Sequence, residues 1–205
     1  NFWNKSEAVK QLMQKEKLKD MHEVQSYFVK RIEKIIESKG KKMMGWDEIL
    51  EGGLAPNAAV MSWRGDKGGI EASKLNHKVV MTPNAFVYLD FNQGEATVEP
   101  PIYANLRLSK AYQFEPVPEG ANAAMILGGQ GNLWTEQVPS LRAAQYMIWP
   151  RGMAIAEDLW SPKEKKNWNE FVVKVEKHFE RLDVAQTKYA RTIYDPIITA
   201  KKSKD

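Results

Sequence analysis

Four short apolar runs limit what this chain can become: Lys41–Trp46, Ala58–Trp63, the stretch from His77 to Pro83, and residues 124–128. Segments with helical or turn character separate them, and each run ends in a cluster of polar or aromatic residues. Strands that alternate with helices in this way build parallel β/α units, because a parallel neighbour is reached only by a crossover. The fourth run leads through Gly128-Gly129-Gln130-Gly131 into Asn132-Leu133-Trp134-Thr135-Glu136. Glycines there let the strand end bend and allow close approach by other groups.

The flanking segments read as scaffold. Residues 6–17 have Ser6 as a candidate N-cap and Val9, Leu12 and Met13 on one face. Asp20 followed by Glu23 opens a longer helix to about residue 38, with Val24, Tyr27, Phe28, Ile32, Ile35 and Ile36 as its apolar stripe and Gly40 as its stop. Shorter helices are expected at about 67–76 and near 104–112. Asn84 to Pro101 is a polar stretch too long for an idle connection, and it contains Tyr88-Leu89-Asp90. Beyond Glu136, Pro150 suits the first turn of a helix reaching about residue 159. Ser161-Pro162-Lys163-Glu164 then reads as the start of a last helix, striped with Trp168, Phe171, Val172, Val175, Phe179 and Leu182.

Composition removes several classes of function. With 205 residues the chain has room for one sizeable core. A net charge of +4 is spread over many acidic and basic residues, and the Lys201, Lys202, Lys204 cluster reads as a solvated tail, so no nucleic-acid partner is expected. No run of about 18 apolar residues occurs, so no membrane span is expected. His22, His77 and His178 lack ligand spacing, and there is no cysteine, so neither a metal nor any other cofactor is expected.

Seven tryptophans are many for this length, and three of them close strands: Trp46, Trp63 and Trp134. A single tryptophan at a strand end is as much at home in a core as in a binding site. Three at equivalent ends of a parallel barrel favour an apolar box at one mouth, with Tyr88, Asp90 and Glu136 adding a hydroxyl and two carboxylates at its rim. Such a box suits an acetamido sugar: the methyl group enters it, and the carboxylates accept from hydroxyls.

These residues also carry a family resemblance. Gly45-Trp46-Asp47-Glu48-Ile49-Leu50-Glu51-Gly52-Gly53-Leu54, Val60-Met61-Ser62-Trp63-Arg64-Gly65, Tyr88-Leu89-Asp90 and Gly128-Gly129-Gln130-Gly131-Asn132-Leu133-Trp134-Thr135-Glu136 resemble the second half of the catalytic barrel of family 20 glycoside hydrolases, the β-N-acetylhexosaminidases, and most of all the bacterial members. The resemblance runs from the first helix to roughly Trp160 and more loosely beyond. It implies an α/β half of a TIM barrel holding the fifth to eighth strands, with the N-terminal half outside this chain. Residues 1–40 would be helices before the fifth strand, 41–136 the four strands with the sugar pocket, 137–199 the C-terminal helices, and 200–205 a tail.

It further implies hydrolysis of terminal N-acetylglucosamine or N-acetylgalactosamine with retention, the substrate's own acetamido oxygen attacking the anomeric carbon. Trp46, Trp63 and Trp134 would wall the acetamido pocket, Tyr88 would position the acetamido carbonyl as the one catalytic contribution here, and Asp90 and Glu136 would bind outer hydroxyls. The partner would be a glycan ending in an N-acetylhexosamine, met in the periplasm or outside a bacterial cell, with any export signal upstream of Asn1. The family's acid lies in a His-x-Gly-Gly-Asp-Glu motif that this sequence lacks; Asp47-Glu48 follows a Gly-Trp and reads as structural. The isolated chain is therefore expected to be inactive. Its open barrel edges offer a route to homo-oligomers, and a non-catalytic carbohydrate-binding or self-associating module is the alternative reading. The loose C-terminal match has Arg181-Leu182 in place but Gln186 where the family has a glycine, which leaves the end of the last helix open.

Overall fold

The structure is a computed structural model and describes residues 2–94, 99, 101–102 and 104–191. The lysine cluster after Ala200 and part of the 84–101 stretch lie outside the described residues. In chain order the elements are α1 (Phe2–Lys5), α2 (Glu7–Glu16), α3 (Met21–Ser38), β1 (Met44–Trp46), β2 (Ala59–Ser62), α4 (Lys67–Lys74), β3 (Val79–Met81), α5 (Asn84–Val87), α6 (Leu108–Ala111), β4 (Ile126–Gly129), α7 (Leu141–Ile148), α8 (Arg151–Trp160) and α9 (Trp168–Val184). They divide between two compact units: Asn1–Asn84 with Pro116–Gly129, and Ala85–Glu115 with Gln130–Asp205.

The first unit holds a parallel sheet in the order β1-β2-β3-β4. Val60, Val79 and Met81 are fully buried in it, as the continuous apolar runs require of a sheet covered by crossovers. The register slips between Val79, opposite Ile126, and Val80, opposite Gly128, so Leu127 is left over. Gly128 takes φ +132 at this bulge, a conformation that glycine adopts without penalty.

The helix starts follow their signals. Ser6 accepts from the Val9 N–H at 3.4 Å, and Asp20 from the Glu23 N–H at 2.9 Å, while Glu23 reaches back to the Lys19 N–H at 2.8 Å. The face that α3 buries is another matter. Phe28 is 54% exposed and Ile35 57%, whereas Ser26 and Glu33 are buried. The reason is polar anchoring. Ser26 donates to the Gly53 carbonyl at 2.5 Å, Glu33 accepts from the Asn57 N–H at 2.8 Å, and these bonds turn Val29, Ile32 and Ile36 onto Met43, Ala55 and Ala58.

In the second unit Tyr112, which closes α6, stacks on Phe171 of α9 at 4.5 Å. The helix expected near 104–112 shrinks to α6, because Asn92 bridges to Asn105 and keeps the preceding residues extended. The Ser161-Pro162 start is also displaced. A single 3-10 turn spans Lys163–Lys165, and α9 begins at Trp168 under Asn167, whose side chain accepts from Asn169 and Glu170. Lys166 is drawn inward to Asp158 at 2.5 Å and to the Phe114 carbonyl at 3.1 Å, which breaks the helix between the two caps. Gln186, in the glycine position of the resemblance, ends α9 in the left-handed region at φ 51.

Candidate active site

In the first unit the corners after β1 and β2 are tied together by two carboxylates. Trp46 is the last residue of β1, and a 3-10 turn, Asp47–Leu50, follows it. Asp47 is buried. Its Oδ2 accepts from the backbone N–H groups of Trp63 at 2.9 Å and Arg64 at 3.1 Å, and its Oδ1 from Arg64 Nε at 2.5 Å. Glu48 takes the indole N–H of Trp63, at 3.0 and 3.1 Å to its two oxygens. Both members of the Asp-Glu pair thus have their oxygens engaged in holding the Trp63 corner. Arg64 completes the lattice by donating to Glu51 at 2.9 Å. That bond and Asp47 hold the guanidinium above its ordinary value, and the same arginine draws the Glu51 carboxyl below its own.

In the second unit the Tyr88 segment lies alongside the Gln130–Asn132 stretch. Tyr88 forms a parallel bridge with Asn132, with Leu89 donating to the Asn132 carbonyl at 2.6 Å and Asn132 to the Val87 carbonyl at 2.9 Å. This pairing brings the buried Tyr88 ring 6.4 Å from that of Trp134, at an interplanar angle of 59°. Asp90 belongs to the same group: burial pushes its carboxyl above the usual range, the Trp134 backbone N–H and the Arg151 charge pull it down, and the Glu136 charge adds to the rise. Its Oδ1 is buried without a hydrogen-bond partner. Trp134 is 41% exposed, and Glu136 is exposed. Of the six residues singled out by sequence, Trp46 and Trp63 therefore belong to the first unit, and Tyr88, Asp90, Trp134 and Glu136 to the second.

A buried polar network behind Tyr88 and Asp90 is absent from the sequence reading. Arg151, fully buried at the start of α8, donates to four carbonyl oxygens: Leu89 at 2.6 Å, Phe91 at 2.7 Å, Met147 at 2.6 Å and Leu106 at 3.1 Å. Burial pulls its guanidinium down to about 9, against the pull of Glu99 and Asp90. Glu99 accepts from Gln93 N–H at 2.9 Å, Gly94 N–H at 2.8 Å and the Tyr146 hydroxyl at 2.6 Å. A signal was available: the buried stripe of α8 is Arg151, Ala154, Ile155 and Asp158, an apolar spacing with a charge at each end. Charges on a buried face are retained only where partners satisfy them.

Among the described residues no group of three His, Cys, Asp or Glu side chains could hold a metal ion, and no helix is long and apolar enough to cross a membrane.

The model of the glycosyl hydrolase family 20 catalytic domain matches residues 1–163. A beta-hexosaminidase of Porphyromonas gingivalis is 43% identical over 192 residues, which cover 91% of this chain and 25% of that protein. A beta-hexosaminidase of Vibrio furnissii is 32% identical over 161 residues, covering 75% of this chain and 26% of the relative. Among solved structures, the exo-β-N-acetylglucosaminidase of Vibrio harveyi in complex with N-acetylglucosamine superimposes with a TM-score of 0.81 at 29% identity, over 93% of this chain and 31% of that one. The chain thus spans about a quarter to a third of the length of these relatives.

Proposed function

The chain belongs to glycosyl hydrolase family 20, and from that membership we propose that it is part of a β-N-acetylhexosaminidase that removes terminal N-acetylglucosamine or N-acetylgalactosamine from a glycan. The observation that carries this reading is the group in the second unit, where Tyr88, Trp134 and Asp90 are gathered by the Asn132 pairing. A ring for the sugar's apolar face, a hydroxyl for the acetamido carbonyl and a carboxylate oxygen with no donor of its own are what an acetamido sugar asks of a protein. In the reaction Tyr88 orients the acetamido oxygen toward the anomeric carbon, so that attack is intramolecular and retention follows. Trp134 lies against the sugar's apolar face, and Asp90 and Glu136 accept from outer hydroxyls. N-acetylglucosamine bound to the Vibrio harveyi relative supports the sugar class.

The parallel order β1-β2-β3-β4, with α4 crossing from β2 to β3, supports the finer reading of the sheet as four of the eight strands of a barrel. Asp47 and Glu48 are occupied with Trp63 and Arg64, and no His-x-Gly-Gly-Asp-Glu run occurs in the sequence, so the general acid is supplied from outside this chain. Loss of such an acid costs about two to four orders of magnitude in rate, and the chain alone is inactive on this reading. The protein works in the periplasm or outside the cell, and edge strands of the isolated chain are a route to self-association.

The test is hydrolysis of a chromogenic N-acetylglucosaminide. The intact protein cleaves it and this chain alone does not. In the intact protein Trp134→Ala lowers kcat/KM far more than Trp168→Ala, whose ring packs on Tyr112 at 5.4 Å. Equal losses at equal folded fraction would remove the case for the pocket.

A further inference from the structure

We propose that Arg151, backed by Tyr146 acting through Glu99, is the positioning residue of the sugar-contacting loop, fixing the peptides on both sides of Asp90 and thereby the direction of Tyr88 and Asp90. The inference rests on the reading of Tyr88 and Asp90 as sugar contacts given above. The geometry is specific to that loop. One nitrogen of the guanidinium binds the Leu89 carbonyl at 2.6 Å, and the other binds the Phe91 carbonyl at 2.7 Å. These carbonyls bracket Asp90. Leu89 is also held from its other side, its N–H donating to Asn132 at 2.6 Å, so both of its backbone polar groups are fixed.

The same guanidinium reaches Met147 in α7 and Leu106 beyond the loop, which references Asp90 to elements well removed in sequence. Further along, Glu99 ties the N–H groups of Gln93 and Gly94 to the Tyr146 hydroxyl. A side chain that served only to fill space would not need a buried cation. Nor would lysine suffice, because one ammonium cannot present the planar fork that spans two carbonyls. The charge has a second effect. The charged groups that act on Asp90 are Glu136 and Arg151, and those that act on Arg151 are Glu99 and Asp90, while the Tyr146 hydroxyl keeps its proton and donates to Glu99. Removing the cation leaves Glu136 as the one charge acting on the Asp90 carboxylate, opposed only by backbone N–H groups, and it takes up its proton at higher pH.

Three variants of the intact protein test this: Arg151→Lys, which keeps the charge and loses the fork; Arg151→Met, which loses both; and the milder Tyr146→Phe. Hydrogen–deuterium exchange is followed for the peptide covering residues 87–94, together with the pH profile of kcat/KM on the chromogenic glycoside. Exchange is expected to rise in that peptide and to stay unchanged in α9. Arg151→Lys lowers kcat/KM by about tenfold to a hundredfold, the cost of a misplaced contact. Tyr146→Phe lowers it by less, about threefold to tenfold, because the lost bond to Glu99 reaches the sugar contacts only through the loop. Only Arg151→Met moves the acid limb of the profile, upward in pH.

Exchange that rises throughout the protein, or does not rise at 87–94, overturns the proposal. So does kcat/KM in the folded Arg151→Lys and Tyr146→Phe proteins within about twofold of the parent, a margin below the loss of one hydrogen bond. If Arg151→Lys and Arg151→Met do not fold, Tyr146→Phe decides by the same local exchange. A parent protein that neither cleaves the glycoside nor binds N-acetylglucosamine refutes the hexosaminidase reading instead, and exchange still decides whether Arg151 positions the loop.

Discussion

Asp158→Asn is expected to change how stability depends on pH. Asp158 sits on the buried stripe of α8 with its side chain fully enclosed, 2.5 Å from Lys166. Burial, only partly offset by Lys166 and reinforced by Glu115 and Glu157, pushes its carboxyl up to about 7. In the unfolded chain the same group titrates near 3.8. Between these values the folded protein holds a proton that the unfolded chain has released, so this residue favours the native state at low pH. The advantage is lost as pH rises from about 4 to about 7. A gap of about three units at 1.36 kcal/mol each corresponds to about 4 kcal/mol, an upper figure because Lys166 follows the carboxylate as it charges. Asparagine keeps the shape and cannot ionise. Urea midpoints of parent and variant, measured at pH 4.5 and pH 8, give the difference of differences, in which every other titrating group cancels. The variant gains on the parent by up to about 3 kcal/mol between the two conditions, since part of the window lies below pH 4.5. Parallel pH dependences would refute the reasoning and place the Asp158 carboxyl in a solvated setting.

Two other substitutions separate close packing from backbone conformation. In Gly52→Ala the new Cβ falls 2.1 Å from the His22 carbonyl oxygen with φ at +76, whereas in Gly40→Ala, at φ +67, it meets nothing within 4 Å. Thermal unfolding should show the first losing about 3 kcal/mol or more, and the second only about 1 kcal/mol; equal losses would mean that φ alone matters. Gln186→Gly should stabilise the protein by about 0.5–1 kcal/mol, since glycine accepts the left-handed turn that ends α9, and a loss on thermal unfolding would show that the glutamine side chain contributes there.

Local chemistry was legible where its partners are neighbours in sequence. Ser6 and Asp20 cap the helices they precede, and the apolar runs ending near Trp46 and Trp63 became adjacent parallel strands. Distant groups decided the outcome elsewhere. Ser161 has the right neighbours for a cap, yet Lys166 is claimed by Asp158 and Phe114, and the helix waits for Asn167. Phe28 and Ile35 fit the periodicity of α3 but are outcompeted for the buried face by Ser26 and Glu33, whose partners lie 27 and 24 residues away. For the candidate site, the polar stretch after the third apolar run and the end of the fourth offered Tyr88, Asp90 and Trp134, which the Asn132 pairing brings close together. Arg151 was not recoverable in this way, because its acceptors are backbone carbonyls as far as 62 residues away and carry no side-chain signature.

The grip of Glu48 on the Trp63 indole has a thermodynamic consequence. A side chain that must be immobilised when a complex forms costs about 0.5–1.5 kcal/mol of association free energy. Here that ordering is completed during folding, by a carboxylate two residues beyond the neighbouring β1 tryptophan. A guest that lies against the ring meets a surface already frozen in place, so the enthalpy of contact is not spent on quieting the host.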